Sequence, residues 1–321
     1  MRYCACVLFV LLALGMGSES VAADFREEAV SVPIAIGTLS GTLMLPQGDA
    51  PRPVALIIAG SGPTDRNGNS AMGLNTSAYR KLAEGLAAQG IATLRYDKRG
   101  IGASAVSQSE SAVRFDDFVN DALALTAWLE RDPRFSSVSI IGHSEGSLIG
   151  TVAAERDPHV RAFVSLEGAG RNLATIINEQ VHANPANPPA IVREVESINA
   201  SLLAGKTVPN TDPQLAPLFR PSVQPFIISE YRYDPAKEIA KLTIPVLIVH
   251  GSTDIQVSST DAQLLAAAYP KAQVANIEGM NHILVSAPAD RDANIATYVQ
   301  PDLPLAPTLV PTIAAFIKGA T

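Results

Sequence analysis

Five short, nearly unbroken apolar runs, at residues 54–59, 91–96, 138–141, 162–166 and 246–249, constrain the fold more than any other feature of this chain. A strand with one solvated face alternates apolar and polar residues, so runs like these suit strands buried on both faces. The stretches between them carry helical patterns, clearest at 77–89, 115–131 and 148–156. Strand and helix therefore alternate, which predicts an α/β fold: a mostly parallel sheet with helices on both faces.

Two segments depart from that rhythm. Residues 26–45 alternate in character and end at Pro46-Gln47-Gly48, as an antiparallel hairpin leading into the sheet would. Residues 171–243 lie between two strand runs and carry two or three helical patterns, with eight prolines from Pro185 to Pro225. Leu218, Phe219, Phe226, Ile227 and Tyr231 give this stretch an apolar content that is costly to leave in water, so it reads as an inserted helical cap. The expected organisation is a leader at 1–23, core at 24–170, the cap at 171–243 and the rest of the core at 244–321.

The leader rests on its own pattern. Arg2 precedes an apolar run from Cys4 to Leu14, and the small residues Val21, Ala22 and Ala23 stand before Asp24. The apolar core is too short to span a bilayer and the small residues suit cleavage after Ala23, so this is expected to be a secretory signal peptide; a retained anchor is the alternative. Both cysteines, Cys4 and Cys6, lie inside it. The exported chain is then expected to have neither thiol nor disulfide and to be periplasmic or secreted. Net charge is −7, from 24 basic and 31 acidic residues, with no basic run, which argues against nucleic acid or anionic lipid as a partner. Beyond the leader no run of apolar residues approaches membrane-spanning length.

The chemistry concentrates where the strand run at 138–141 meets Gly142-His143-Ser144-Glu145-Gly146 and small, helix-compatible residues follow. A serine on such a strand-to-helix bend is held with Oγ exposed, and glycines two residues to either side avoid a Cβ that would strike the adjoining strand and helix. Serine needs a base to take its proton and a third group to orient that base. Of the five histidines, His143 is expected to point away from the reacting face, His159 follows a helix end, His182 sits among polar residues and His250 ends a strand. His282 lies in Glu278-Gly279-Met280-Asn281-His282, a glycine-containing turn after the strand-like residues 273–277, and is the candidate base. The orienting acid belongs in a loop at the carboxyl end of a strand. Asp254, after residues 246–249 and a glycine turn, meets that requirement; Asp261 reads as a helix N-terminal residue, and Glu278 is too near His282 in sequence. The order is serine, acid, histidine.

With Ser144, Asp254 and His282 in that order, and with the segments Gly60-Ser61-Gly62-Pro63-Thr64-Asp65-Arg66-Asn67-Gly68-Asn69, Arg95-Tyr96-Asp97-Lys98-Arg99-Gly100-Ile101-Gly102-Ala103-Ser104 and Gly279-Met280-Asn281-His282, the chain resembles α/β-hydrolase fold esterases, specifically a bacterial carboxylesterase-like group. The resemblance implies cleavage of small carboxylic esters through an acyl-enzyme. It also implies an oxyanion hole formed by the Glu145 backbone N–H and an N–H of the loop after the first buried strand, from Ser61 with Gly62 next. Phe219 and Phe226 of the cap are the candidate substrate-binding residues. Asp97 and Arg99 are expected to lock a loop through ion pairs. No cofactor or metal is expected: the exported chain lacks cysteine, and neither H-E-x-x-H nor G-x-G-x-x-G in a phosphate-binding context occurs. A peptidase of the same fold and a non-catalytic binding protein are the competing readings.

Overall fold

The computed structural model describes residues 25–320, so the leader expected at 1–23 lies outside the described residues. The chain opens with the hairpin β1 (Phe25–Ile34) and β2 (Gly37–Pro46), paired antiparallel from Phe25 opposite Pro46 to Ile34 opposite Gly37. Next come β3 (Arg52–Ile58), α1 (Ala78–Ala88), β4 (Ala92–Tyr96), the short β5 (Ala105–Val106), α2 (Phe115–Glu130), β6 (Phe135–His143), α3 (Glu145–Arg156) and β7 (Val160–Leu166). Helices α4 (Leu173–Ala183), α5 (Pro189–Leu203), α6 (Ala216–Phe219), α7 (Gln224–Glu230) and α8 (Pro235–Ile239) then intervene. The chain returns to the sheet through β8 (Val246–Gly251), α9 (Ser259–Ala268) and β9 (Gln273–Ile277), and ends in α10 (Arg291–Ala296) and α11 (Leu309–Gly319).

The strands lie in the order β1-β2-β4-β3-β6-β7-β8-β9, with β5 beside β2. Pairing is antiparallel from β1 through β4 and parallel from β4 to β9. From β3 the chain steps to β4 on one side and returns to β6 on the other. That reversal opens a crevice beyond the carboxyl ends of β3 and β6, where a doubly wound sheet binds its ligands.

The two-residue period of the strands divides the core. Leu56, Ile58 and Ile140 bury into one face with α2 and α3, while Ala55, Ile57 and Ile141 bury into the other with α1 and α11. The segment between β7 and β8 has a third core of its own, built from Ala174, Ile177, Val195, Ile198, Leu202, Phe219, Ile227 and Tyr231. Its prolines stand largely where helices begin: Pro189 opens α5, Pro235 opens α8, and α6 and α7 carry proline in their first turns. Proline is tolerated there because the amide it lacks has no intrahelical partner.

Two local expectations are corrected. The helix expected from 148 begins at Glu145, immediately after the serine. Leu218, expected to be sheltered, is 40% exposed, because α6 is a single turn that aims Phe219 inward instead.

Candidate active site

Ser144 occupies the bend between β6 and α3 with φ 55° and ψ −123°, a conformation that L-residues rarely adopt. The flanking glycines explain how the bend closes. A Cβ on Gly142 would stand 2.2 Å from the Gly146 carbonyl oxygen, and one on Gly146 would stand 2.4 Å from the Ile58 carbonyl oxygen of β3. Strand, bend and helix are thus in contact through glycine at both points, and the Ser144 hydroxyl does not cap α3.

Asp254 and His282 are brought together. Asp254 follows β8, His282 follows β9, and His282 Nδ1 lies 2.7 Å from Asp254 Oδ2 with both side chains buried. Asp254 Oδ1 accepts the backbone N–H groups of Gln256, at 2.7 Å, and Val257, at 3.1 Å. Burial opposes its charge, but the His282 ring first, and the Gln256 N–H behind it, outweigh it and draw its pKa down to about 2. Ser144 adjoins this pair through its neighbour in sequence, since the His143 and His282 ring centroids are 5.0 Å apart.

His143, expected to point away from the reacting face, is buried: its ring packs against His282 and its Nε2 lies 2.8 Å from the His282 carbonyl oxygen. Two of the remaining histidines are elsewhere. His159 is exposed near Glu130 and Asp157, and His182 is exposed against Glu196. Asp261 takes the role expected of it, forming a capping box with Ser258 at the start of α9, and it also pairs with Arg171 at 2.7 Å.

The expected oxyanion donors sit at the crevice. Glu145 is the first residue of α3, so its N–H has no intrahelical acceptor. Ser61 and Gly62 are exposed in the loop after β3. The Gly60 N–H before them donates to Tyr79 Oη at 3.0 Å. Lys98 Nζ donates to the Gly60 carbonyl oxygen at 2.6 Å and lies 3.3 Å from Glu145 Oε2, so one buried lysine touches both segments expected to form the oxyanion hole.

Asp97 and Arg99 lock loops as expected. Asp97 accepts from Arg66 and from the Ala103 N–H, while Arg99 forks onto Asp121 of α2 at 2.9 and 2.7 Å.

The two cap aromatics part company. Phe219 is fully buried in the insertion's own core and has no surface to offer a substrate, which corrects its assignment as a binding residue. Phe226 is partly buried, packs on both the insertion core and the main core, and meets Phe118 edge-on at 5.4 Å. Phe118 in turn lies under Lys98 Nζ, 5.4 Å from its ring centre. Glu230, four residues on in α7, is buried; burial and the Glu145 charge hold its carboxyl well above the usual range, against the pull of Lys98.

Glu167 was missed. It follows β7 directly with φ 49°, is fully buried, and places Oε2 3.0 Å from His250 Nδ1 beside Asp254. Burial first, then the Asp254 charge, raises its pKa well above the ordinary carboxyl value. The rule that selected Asp254, an acid at the carboxyl end of a parallel strand, selects Glu167 equally.

Residues 71–208, which include the serine bend, match the serine aminopeptidase S33 family. Over 257 residues the sequence is 27% identical to the esterase EstD of Thermotoga maritima, covering 79% of this chain and 60% of that protein. Among solved structures, Est1E from Butyrivibrio proteoclasticus superposes with a TM-score of 0.59 at 18% identity, over 91% of this chain and 98% of that one. The Pyrococcus furiosus esterase Pf2001 gives 0.57 at 14% identity, over 92% and 91% of the two chains.

Proposed function

We propose that this protein, which has the α/β-hydrolase fold and is esterase-like in sequence, is an exported serine hydrolase that cleaves small carboxylic esters through an acyl-enzyme. One observation carries the reading. Ser144 is held at φ 55° on a strand-to-helix bend, one residue from a ring that packs against the base of a buried His282–Asp254 pair. Strain of that kind persists only where the surrounding structure imposes it, and here it falls at the topological switch point of the sheet.

In this reading Ser144 Oγ attacks the ester carbonyl while His282 takes its proton. Asp254 holds the Nδ1–H tautomer of the imidazole and stabilises the cation that forms. The tetrahedral oxyanion is met by the N–H groups of Glu145 and of Ser61 or Gly62. His282 then returns the proton to the departing alcohol, and water, activated in the same way, releases the acid.

Ser144→Ala is expected to lower kcat on p-nitrophenyl butyrate by about 10⁶-fold while thermal unfolding is unchanged. Retention of more than a tenth of the activity in purified variant would refute the role of Ser144. The match to serine aminopeptidases supports a second reading, amide cleavage, and turnover of aminoacyl p-nitroanilides in preference to p-nitrophenyl esters would establish it. A binding protein without catalysis would leave Ser144 unlabelled by a fluorophosphonate. Export is supported by the pattern of residues 1–23 and predicts a secreted or periplasmic product beginning at Asp24, read by intact mass.

A further inference from the structure

We propose that Tyr79 and His143 are positioning residues, which fix the oxyanion loop to the backbone of the base through a single hydrogen-bonded chain of forced direction. The inference rests on the ester-hydrolase reading and deepens it. Three contacts make the chain: Gly60 N to Tyr79 Oη at 3.0 Å, Tyr79 Oη to His143 Nδ1 at 2.7 Å, and His143 Nε2 to the His282 carbonyl oxygen at 2.8 Å.

The two ends decide every proton between them. A backbone N–H can only donate, so Tyr79 Oη accepts from Gly60. A carbonyl oxygen can only accept, so His143 Nε2 carries the ring proton and gives it to His282. In the neutral ring this leaves Nδ1 bare, so Nδ1 accepts the Tyr79 hydroxyl hydrogen and the ring is the Nε2–H tautomer. The surroundings agree: burial, with the neighbouring His282, brings the His143 pKa down to about 3.

The chain ends where position matters most. Gly60 precedes Ser61, the expected oxyanion donor, and its carbonyl oxygen is gripped by Lys98 at 2.6 Å. The C=O and N–H of a trans peptide point to opposite sides, so a lysine holding Gly60 O turns Ser61 N–H away from itself. Tyr79 holds the preceding amide. At the other end His143 adjoins Ser144 covalently and His282 through hydrogen bonding. Nucleophile, base and oxyanion loop are thus tied by groups that never touch substrate, where a misplacement of about 1 Å costs roughly 10²-fold in rate.

Two variants cut the same link. Tyr79→Phe removes the hydroxyl, and His143→Gln removes the Nδ1 acceptor while keeping a donor for His282. Each is expected to lower kcat on p-nitrophenyl butyrate about 10- to 100-fold with KM within about threefold, because an oxyanion donor acts in the transition state. The double variant is expected to be no worse than the weaker single one. Additive losses, or loss of thermal stability with kcat unchanged, would overturn the relay. A second measurement needs no variant: in the full chain labelled with ring-¹⁵N histidine, His143 is expected to show a protonated Nε2 and bare Nδ1 from pH 8 to pH 5. A protonated Nδ1 in that range would overturn the proposal. If the wild type turned over no ester, the functional reading would fail while the spectrum still judged the hydrogen-bonded chain.

Discussion

The protein holds two histidine–carboxylate pairs side by side at the carboxyl end of its sheet, built from the same chemistry and brought to opposite states. His282 stands 2.7 Å from Asp254 and His250 stands 3.0 Å from Glu167, and all four side chains are buried. Asp254 is nevertheless drawn down to about 2, while Glu167 is pushed up and His250 down toward neutrality, each of the latter two chiefly by burial. The difference lies in what surrounds the carboxylates. Asp254 sits in a turn whose next residues, Gln256 and Val257, give it their N–H groups. Glu167 has only the Gly251 amide to favour its charge, and it faces the Asp254 anion. The His282 ring first, with main-chain N–H groups behind it, therefore keeps Asp254 ionised and able to orient an imidazole, whereas His250 gives Glu167 no comparable support. Glu167 lies buried beside Asp254, its carboxyl pushed toward the protonated form.

The largest effect expected from this contrast is kinetic. Asp254→Asn leaves the imidazole without an anion to fix its tautomer and is expected to lower kcat about 10⁴-fold. Glu167→Gln keeps a neutral donor of nearly the same shape and is expected to hold kcat within about threefold. If steady-state kinetics on p-nitrophenyl butyrate gave the reverse order, Glu167 would be the orienting acid and the two pairs would exchange roles.

Stability against pH separates the pairs in sign. Asp254 keeps its proton less readily folded than at its ordinary 3.8, so its contribution is complete above pH 3.8 and is lost as pH falls through about 2. That contribution is worth ~2 kcal/mol at ~1.36 kcal/mol per unit, and Asp254→Asn is expected to remove it. Glu167 holds its proton above its ordinary 4.5, so the wild type is expected to lose stability relative to Glu167→Gln as pH rises from 4.5. Urea unfolding from about pH 1.5 to pH 8 reads both curves, and parallel curves for the two variants would erase the distinction.

How far these features are legible in the sequence depends on how local their causes are. The strand runs, the hairpin and the serine bend follow from residues within a few positions of one another, and glycines at 142 and 146 mark the contacts that shape the bend. The pairing of Asp254 with His282 follows from strand order alone. Glu167 was open to the same rule, but its positive φ has no sequence signature because glutamate rarely adopts it. His143 escaped for another reason: its partner lies 139 residues away, and its orientation is set by how β9's turn settles over the serine bend. In the insertion, short proline-led helices carry too few turns for a periodic stripe to tell an inward aromatic from one at a boundary, so Phe219 and Phe226 looked alike.

That last pair gives the smallest and most selective test. Both histidine pairs are buried and polar, so Asp254→Asn and Glu167→Gln should change rates without changing the preference among esters of graded acyl length. Phe226 bridges the insertion core and the Phe118 ring, which lies beneath the Lys98 that touches Gly60 and Glu145. A methylene fitted into an apolar pocket is worth ~1–3 kcal/mol. Phe226→Ala is therefore expected to shift relative kcat/KM between acetate and hexanoate esters about tenfold, with fluorophosphonate labelling of Ser144 intact. Phe219→Ala should do the opposite, leaving the preference alone while lowering stability by ~3–5 kcal/mol, the cost of emptying a buried aromatic site. An acyl preference that moved with Glu167 and not with Phe226 would mean that the acid pairs shape the pocket, and would break the separation between the centre that sets rate and the surface that sets selectivity.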